Sequence, residues 1–235
     1  MRLDRGVRLV TASGVGAVAA YWLPSVGTAV PPLRRPLGIR DRVADVEGVA
    51  LSFDDGPHPQ GTAAVLEVLA ASRVFATFFL VGEQVERRAA QAREIVAAGH
   101  EVGLHCYRHR SLLRLTPMQV RDDLRRGSAA IAEATGESPR LYRPPHGIFT
   151  VAGLAFAWKN RLTPVLWSCD GRDWRVDATS SSIASLITRR VRAGDIVLLH
   201  DADWYSARGS WRHTVGALPH VLDTIADRSI SFVPA

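Results

Sequence analysis

Short apolar runs alternate with helix-like segments along most of this chain. The runs are rich in β-branched and aromatic residues, which favours strands, and several of the segments between them have helical spacing. Alternation of this kind predicts parallel strands joined by crossover helices. The predicted strands are Val49–Phe53, Val74–Val81, Glu101–Leu104, a weaker Arg140–Tyr142, Pro164–Trp167, Asp195–Leu199 and Ser229–Val233; the predicted helices are Thr62–Ala71, Gly82–Ala98, Thr116–Gly136 and Ser180–Arg192.

Composition places the chain among ordinary globular proteins. Hydrophobic residues make up 47% of the sequence and charged residues 22%, which excludes a disordered chain, a collagen-like repeat and a protein with many membrane spans. The two cysteines exclude a disulfide scaffold and a cysteine-rich zinc module. The length of 235 residues predicts one domain of barrel or doubly wound size, and we expect a monomer.

Residues 1–42 differ from the rest of the chain and are interpreted as an N-terminal arm with a linker. They carry a net charge of +5 out of the chain's +6. Residues 43–235 therefore have no bulk positive charge for nucleic acid, and no nucleic-acid partner is expected. Within the arm, residues 9–33 are uncharged and long enough to span a bilayer, although glycines and prolines interrupt them.

Three interpretations of residues 9–33 stay open. Arginines followed by a short apolar core are typical of a cleaved export signal. The same stretch could remain as an uncleaved anchor that associates with a membrane. A surface helix followed by a linker is the third interpretation. The first two predict a protein exported or anchored at a bacterial-type cell envelope, and the third leaves a cytoplasmic location open.

Chemically active residues follow the ends of the predicted strands. In a barrel of parallel strands such positions gather at the C-terminal rim, where these folds place their active sites. A purely structural role would scatter these residues along the chain. They are Asp54 and Asp55 after the first run, His105 and His109 after the third, Asp170 and Asp173 beyond Trp167, and His200 after Leu199.

His105 and His109 have the spacing of a pair of metal ligands. On a helical turn, residues four apart lie on one face, so both imidazoles could reach one ion, although such pairs also occur by chance in surface helices. With an aspartate from the same rim they make two histidines and one carboxylate. That is the ligand number of a catalytic zinc site with a position left for water.

Asp54, Asp55 and His200 each have a structural alternative. An Asp-Asp-Gly-Pro run can form a turn whose carboxylates cap backbone N–H groups. Adjacent carboxylates otherwise need a cation or different protonation states. His200 can be a buried histidine bonded to a carbonyl, or a general acid that a nearby aspartate keeps protonated.

Five segments, taken in order, resemble the five motifs of the polysaccharide deacetylases, carbohydrate esterase family 4, whose domain is named for its homology to nodulation-factor deacetylase. The resemblance covers the chain from about residue 47 to the C-terminus, and it identifies residues 43–235 as the catalytic domain. It implies an α/β fold: a distorted (β/α) barrel of about seven parallel strands with outer helices. The segments are Ser52–Pro57, His105–His109, Arg143–Gly147, Asp170–Trp174 and Leu198–Asp201.

The resemblance implies a metal-dependent hydrolase acting on carbon–nitrogen bonds other than peptide bonds. Asp55, His105 and His109 match the ligands of a divalent metal, usually zinc (Zn2+). Asp54 matches the general base that takes a proton from the attacking water. Arg143 is similar to the arginine that orients this base.

The remaining family positions imply an acid and a substrate groove. His200 resembles the general acid that protonates the departing amine, and one or both of Asp170 and Asp173 match the carboxylates that tune it. The expected substrate-binding residues are Pro145, His146, Gly147, Trp174 and Leu199.

The resemblance implies removal of N-acetyl groups from an amino-sugar glycan, peptidoglycan or chitin-like, through metal-activated water. An O-acetyl xylan esterase and a deacylase of a lipid-linked sugar are alternatives with the same chemistry. A catalytically silent carbohydrate-binding protein is an alternative of another class. The aromatic and basic residues between Trp204 and Arg212 are interpreted as a loop over the groove.

Two positions depart from the family pattern. His146 stands where an aromatic residue, often tyrosine, is usual, and the family directs the backbone N–H of this position towards the oxyanion. Cys106 replaces a serine or threonine beside the first histidine. Inert packing, a fourth ligand and a disulfide with Cys169 are its three alternatives.

Overall fold

The computed structural model describes residues 25, 28, 30–43 and 47–235. In this part of the chain, strands and helices alternate. The strands are β1 (Gly48–Asp54), β2 (Thr77–Leu80), β3 (Glu101–Leu104), β4 (Leu141–Tyr142), β5 (Thr163–Pro164), β6 (Cys169–Asp170), β7 (Ile196–His200) and β8 (Ser231–Phe232). The helices are α1 (Gly61–Ser72), α2 (Gly82–Arg87), α3 (Ala89–Ala97), α4 (Pro117–Thr135), α5 (Val151–Lys159), α6 (Ser180–Thr188) and α7 (Ser210–Asp227).

Seven parallel strands form one curled sheet with helices around it. Their order is β5-β4-β3-β2-β1-β7-β6, and β8 pairs with the beginning of β1. All of these pairings are parallel. The arrangement confirms the predicted distorted (β/α) barrel of about seven strands.

The central strand β1 is buried along its whole length. Burial on both faces explains its nearly continuous apolar sequence, which is typical of strands in parallel sheets. Phe53 stacks on Phe78 of β2 with ring centroids 5.1 Å apart. In β3, a Cβ on Gly103 would lie 2.6 Å from the Phe79 ring, so glycine allows this ring to pack against the strand. These contacts hold the strands that carry the site.

Residues 39–43 pack against the sheet. Ile39 is 3% exposed and belongs to the main hydrophobic core. The backbone N–H of Arg40 donates to the Pro164 carbonyl at 2.8 Å, and that of Val43 donates to the Gly194 carbonyl at 3.0 Å. The segment therefore connects the β5 edge with the start of β7. The division between arm and catalytic domain at residues 42 and 43 stays a prediction.

Most of the stretch 9–33 lies outside the described residues, so the three interpretations of it stay predictions. In the part of the chain that the structure describes, no helix combines the length and apolar character needed to cross a bilayer.

Helix boundaries differ from the sequence-based predictions at several points. Thr116 caps α4 with a capping box and Gly136 ends it in a left-handed conformation, as predicted. The predicted helix Gly82–Ala98 is two helices, because the backbone of Arg88 leaves the helical region at φ −142°. Strand β6 and helices α5 and α7 were not predicted.

We predict that Ile39→Ala destabilises the full chain by about 2–5 kcal/mol, because it removes a buried side chain and leaves a cavity. Leu33→Ala, six residues earlier and 36% exposed, is the matched control and should cost about 0.5 kcal/mol or less. Urea unfolding of both variants measures the difference. Equal losses would show that residues 39–43 are not part of the core.

Candidate active site

A cavity of about 290 Å³ opens at the C-terminal ends of the strands. Its walls come from the ends of β1 and β7 and from the segments after β1, β3, β4, β5, β6 and β7, so the sheet topology brings distant parts of the sequence together. The expected site residues that line it are Asp54, Asp55, His105, His109, His146, Gly147, Asp170, Trp174 and His200.

The chain turns sharply where β1 ends, and this turn places two carboxylates at the cavity floor. Asp55 adopts φ +79°, a left-handed conformation that aspartate tolerates better than most residues. Both Asp54 and Asp55 are 3% exposed. The carbonyl of Gly56 accepts the Val81 N–H at 3.0 Å and ties the turn to the end of β2.

Asp55, His105 and His109 converge on one point. Asp55 Oδ1 lies 3.4 Å from Nε2 of each histidine, and the three candidate ligand atoms lie within 4.8 Å of one another. Among the described residues, this buried oxygen has no hydrogen-bond partner. A buried carboxylate oxygen without a donor is unfavourable unless a cation binds it. The arrangement therefore fits a divalent metal.

The protonation states of the three groups also fit a metal. His105 Nδ1 lies 2.8 Å from the Arg143 carbonyl oxygen, which only accepts, so Nδ1 carries the proton and Nε2 is free to bind. Burial lowers the pKa of His109 to about 4. Burial works to raise the pKa of Asp55, but the nearby histidines lower it to about 2. Neutral imidazoles and a carboxylate are donors that zinc accepts.

The histidine pair lies in a loop, so the helical turn expected from its spacing is wrong. Residues 105–110 follow β3 without helical structure, and Cys106 adopts φ +64°. Asp123 Oδ2 accepts the N–H groups of Tyr107 at 2.7 Å and Arg108 at 3.3 Å. This anchored loop brings the rings of His105 and His109 to a centroid distance of 5.3 Å.

Asp54 is paired with a fully buried guanidinium. Arg143 Nη1 donates to Asp54 Oδ1 at 2.7 Å and to Ser52 Oγ at 2.9 Å, while Nη2 donates to the Leu166 carbonyl at 3.0 Å. Burial lowers the pKa of Arg143, and Asp54 opposes this change. Asp54 Oδ2 lies 3.9 Å from His105 Nε2. One carboxylate oxygen is thus held by Arg143, and the other lies beside the candidate metal ligands.

His200 forms a second ion pair at the cavity, with the carboxylate of Asp173. Its Nδ1 lies 2.8 Å from Asp173 Oδ1, and its backbone N–H donates to Asp173 Oδ2 at 2.6 Å. Thr214 Oγ1 donates to the same oxygen at 2.7 Å. Burial works to lower the pKa of His200, but Asp173 raises it to about 10. Asp170 does not bond to His200; its Oδ1 accepts the Arg172 N–H at 2.7 Å.

The expected substrate-binding residues differ in where they lie relative to the cavity. His146, Gly147 and the half-exposed Trp174 line the cavity. Pro145 is buried and lies outside the lining.

The expectation for Leu199 is wrong, because its side chain is fully buried in the main core and Leu198 lines the cavity instead. Side chains alternate along a strand, so Leu198 shares the face of His200.

Three further lining residues were absent from the expected set. Trp167 follows β5, and Tyr205 and Ser206 belong to the loop after β7. The aromatic residues after His200 predict a loop over the groove. Tyr205 lies in the cavity wall, which confirms the prediction for this residue.

Both cysteines are free and buried. Cys106 belongs to the main hydrophobic core and is not part of the group of candidate ligands. Burial raises the pKa of its thiol well above the usual value. Of the three alternatives, the structure shows a protonated side chain packed in the core.

Comparison with known proteins agrees with the geometry. The family model described as polysaccharide deacetylase matches residues 42–164. A chitooligosaccharide deacetylase from Bradyrhizobium is 42% identical over 167 residues, covering 69% of this chain and 76% of the relative. A peptidoglycan-N-acetylglucosamine deacetylase from Bacillus cereus is 33% identical over 188 residues, covering 79% and 84%.

A solved structure is also similar. It is a peptidoglycan N-acetylglucosamine deacetylase in complex with 4-naphthalen-1-yl-N-oxidanyl-benzamide, with a TM-score of 0.79, 26% identity and coverage of 85% of this chain and 92% of that chain. The fold and these relatives define a carbohydrate-active hydrolase. The chain belongs to the polysaccharide deacetylase family, carbohydrate esterase family 4.

We predict that Asp173→Asn lowers the pKa of His200 from about 10 towards 6.5, because burial then acts without the neighbouring charge. NMR titration of the imidazoles in the metal-free protein measures this pKa, and His200→Gln identifies the resonance. Asp170→Asn is the matched control, since Asp170 lines the same cavity without bonding to His200. A pKa that stays near 10 in Asp173→Asn would refute the ion pair as its cause.

Proposed function

We propose that this protein hydrolyses N-acetyl groups on an amino-sugar glycan, peptidoglycan or chitin-like, with a divalent metal held by Asp55, His105 and His109. The observation that carries the proposal is the buried Asp55 Oδ1, which has two Nε2 atoms at 3.4 Å and no hydrogen-bond donor among the described residues. The named activities of the relatives support the substrate class.

The two-histidine, one-aspartate set suits zinc. A divalent ion bound there would lower the pKa of a water ligand and polarise the acetyl carbonyl. His105 is oriented for binding by its Nδ1–H donation to the Arg143 carbonyl. Each ligand thus has its binding atom directed at one point before any ion arrives.

Asp54 is the proposed general base. Arg143 donates to its Oδ1, which leaves Oδ2 to accept a proton from the attacking water. Arg143 itself touches no reacting atom, so it is a positioning residue. Its bonds to Ser52 and to the Leu166 carbonyl fix the direction in which Asp54 faces.

His200 is the proposed general acid. An amine leaves poorly unless it is protonated, so the carbon–nitrogen bond needs a proton donor on the side away from the base. Asp173 accepts from Nδ1 and keeps His200 protonated, so Nε2–H is available to the departing nitrogen. Asp170 lines the cavity without this bond, so Asp173 is the proposed partner of the acid.

Aromatic and imidazole rings form the walls that would hold the sugar. Trp167, Trp174 and Tyr205 line the cavity together with His146, which adopts φ +59°. Apolar walls with a few polar groups are typical of ligand sites. The role of the His146 N–H towards the oxyanion stays a prediction, as does a location at the cell envelope.

A catalytically silent carbohydrate-binding protein is disfavoured, because the base, the acid and the candidate ligands are all present and oriented. Silent binding requires none of the buried charge pairs, which are costly to bury.

We predict that Asp54→Asn reduces acetate release from acetylated chitin oligomers and peptidoglycan by about 10²–10⁴-fold and leaves zinc binding intact. Asp55→Asn is the matched neighbour and should lose both zinc and turnover. Acetate assays and the zinc content of both purified variants measure these effects. Full turnover in Asp54→Asn would exclude Asp54 as the base.

We predict that removing divalent metal with a chelator abolishes acetate release and that added zinc restores it. The Asp54→Asn variant should remain inactive after the same zinc addition. Activity that persists in metal-free protein would contradict the proposed function.

A further inference from the structure

His105 and His109 are held in different ways. The Nδ1–H of His105 donates to the Arg143 carbonyl at 2.8 Å, which fixes its ring. His109 makes no comparable Nδ1 bond among the described residues. Metal-binding histidines are usually oriented by such a bond on the nitrogen that faces away from the metal. Some other contact must therefore orient His109.

Besides the ring of the neighbouring ligand His105, two rings contact the His109 imidazole. The Tyr205 ring stacks on it with centroids 4.3 Å apart and an interplanar angle of 12°. His146 meets it edge-on at 4.7 Å and 78°. The stacked contact opposes rotation of the imidazole about its bond to Cβ, because such rotation drives the ring edge into the plane of Tyr205.

The Tyr205 ring is itself fixed at its far end. Its hydroxyl donates to Glu83 Oε1 and accepts from Gln84 Nε2, both at 3.0 Å. Both residues lie in the first turn of α2. Arg88 Nη1 in turn donates to Gln84 Oε1 at 2.6 Å. The stack is therefore connected to a helix and does not depend on the loop after β7 alone.

We propose that Tyr205 is a positioning residue for the metal ligand His109, and that its anchored ring does by stacking what the Arg143 carbonyl does for His105 by hydrogen bonding. The inference rests on the proposed metal site. It assigns Tyr205 a task in metal binding that is separate from its place in the cavity wall.

Replacing Tyr205 by phenylalanine or leucine separates the stack from the hydroxyl. Tyr205→Phe keeps the ring, whereas Tyr205→Leu keeps an apolar side chain without a plane. Trp174→Leu is the matched control, because Trp174 lines the same cavity and, in the part of the chain that the structure describes, has no ring contact with a histidine. Zinc affinity of the full chain, measured by competition with a chromogenic chelator, is the readout.

We predict a loss of zinc affinity of about 10-fold or more in Tyr205→Leu and a much smaller loss in Tyr205→Phe. Trp174→Leu should bind zinc like the wild type. The absorption bands of the Co²⁺-loaded protein should change in Tyr205→Leu only, since they report ligand geometry. Thermal unfolding of the metal-free variants checks that each is folded.

Tyr205→Met gives a second test if Tyr205→Leu does not fold, because it also removes the aromatic plane and should lose zinc affinity to a similar extent. Gln84→Ala keeps the ring and removes one of the two partners of the hydroxyl, so its loss should be no larger than that of Tyr205→Phe. His146→Ala tests the edge contact and should leave zinc affinity nearly unchanged.

Wild-type zinc affinity in Tyr205→Leu, or a larger loss in His146→Ala than in Tyr205→Leu, would overturn the inference while leaving the proposed function intact. If Tyr205→Leu does not fold, wild-type affinity in Tyr205→Met would overturn it. A wild-type chain that binds no zinc and releases no acetate would instead refute the proposed function itself.

Discussion

The arrangement of the whole site depends on the buried guanidinium of Arg143. It bonds Asp54, Ser52 and the Leu166 carbonyl, while its own carbonyl accepts from His105 Nδ1. Removing the partner of a buried charge costs about 3–5 kcal/mol, so the buried guanidinium depends on Asp54 as its partner. One residue therefore positions the proposed base through its side chain and a proposed metal ligand through its backbone.

Sheet register explains why these groups meet. Asp54 and His200 are direct partners across β1 and β7, so the proposed base and acid end neighbouring strands at the same level. Leu104 and Tyr142 are partners across β3 and β4, which makes the next residues along each strand, His105 and Arg143, neighbours as well. A slip by one residue would turn every side chain to the other face, so the observed register is what places Asp54 and His200 together at the cavity.

The elements that were not predicted from the sequence have weak or misleading local sequence patterns. Strand β6 has two residues and no apolar run, and only its pairing with β7 defines it. Helix α5 is mostly apolar, so its periodicity is weak. Helix α7 contains Pro219, which normally argues against a helix interior. The long buried strands, in contrast, were predicted within a few residues because their apolar runs are continuous.

Within the site, residues next to strand ends were predictable and those placed by tertiary contacts were not. The positions of Asp54, His105 and His200 follow from where strands end. Predicting that Leu198 and not Leu199 lines the cavity requires knowing which face of β7 is turned towards the cavity. The apolar run of this strand does not distinguish its two faces. Tyr205 reaches His109 from a loop almost a hundred residues later, and no sequence pattern records such a contact.

His109 and His200, both in the cavity, have different protonation states, which burial and neighbouring charges set. Burial lowers the pKa of His109 to about 4, whereas Asp173 raises that of His200 to about 10 against the same effect of burial. Groups whose environments separate their pKa values mark the division of acid and base work in an active site. His109 is neutral, as a ligand must be, and His200 is charged, as an acid must be. The chain thus assigns both states before any metal or glycan binds.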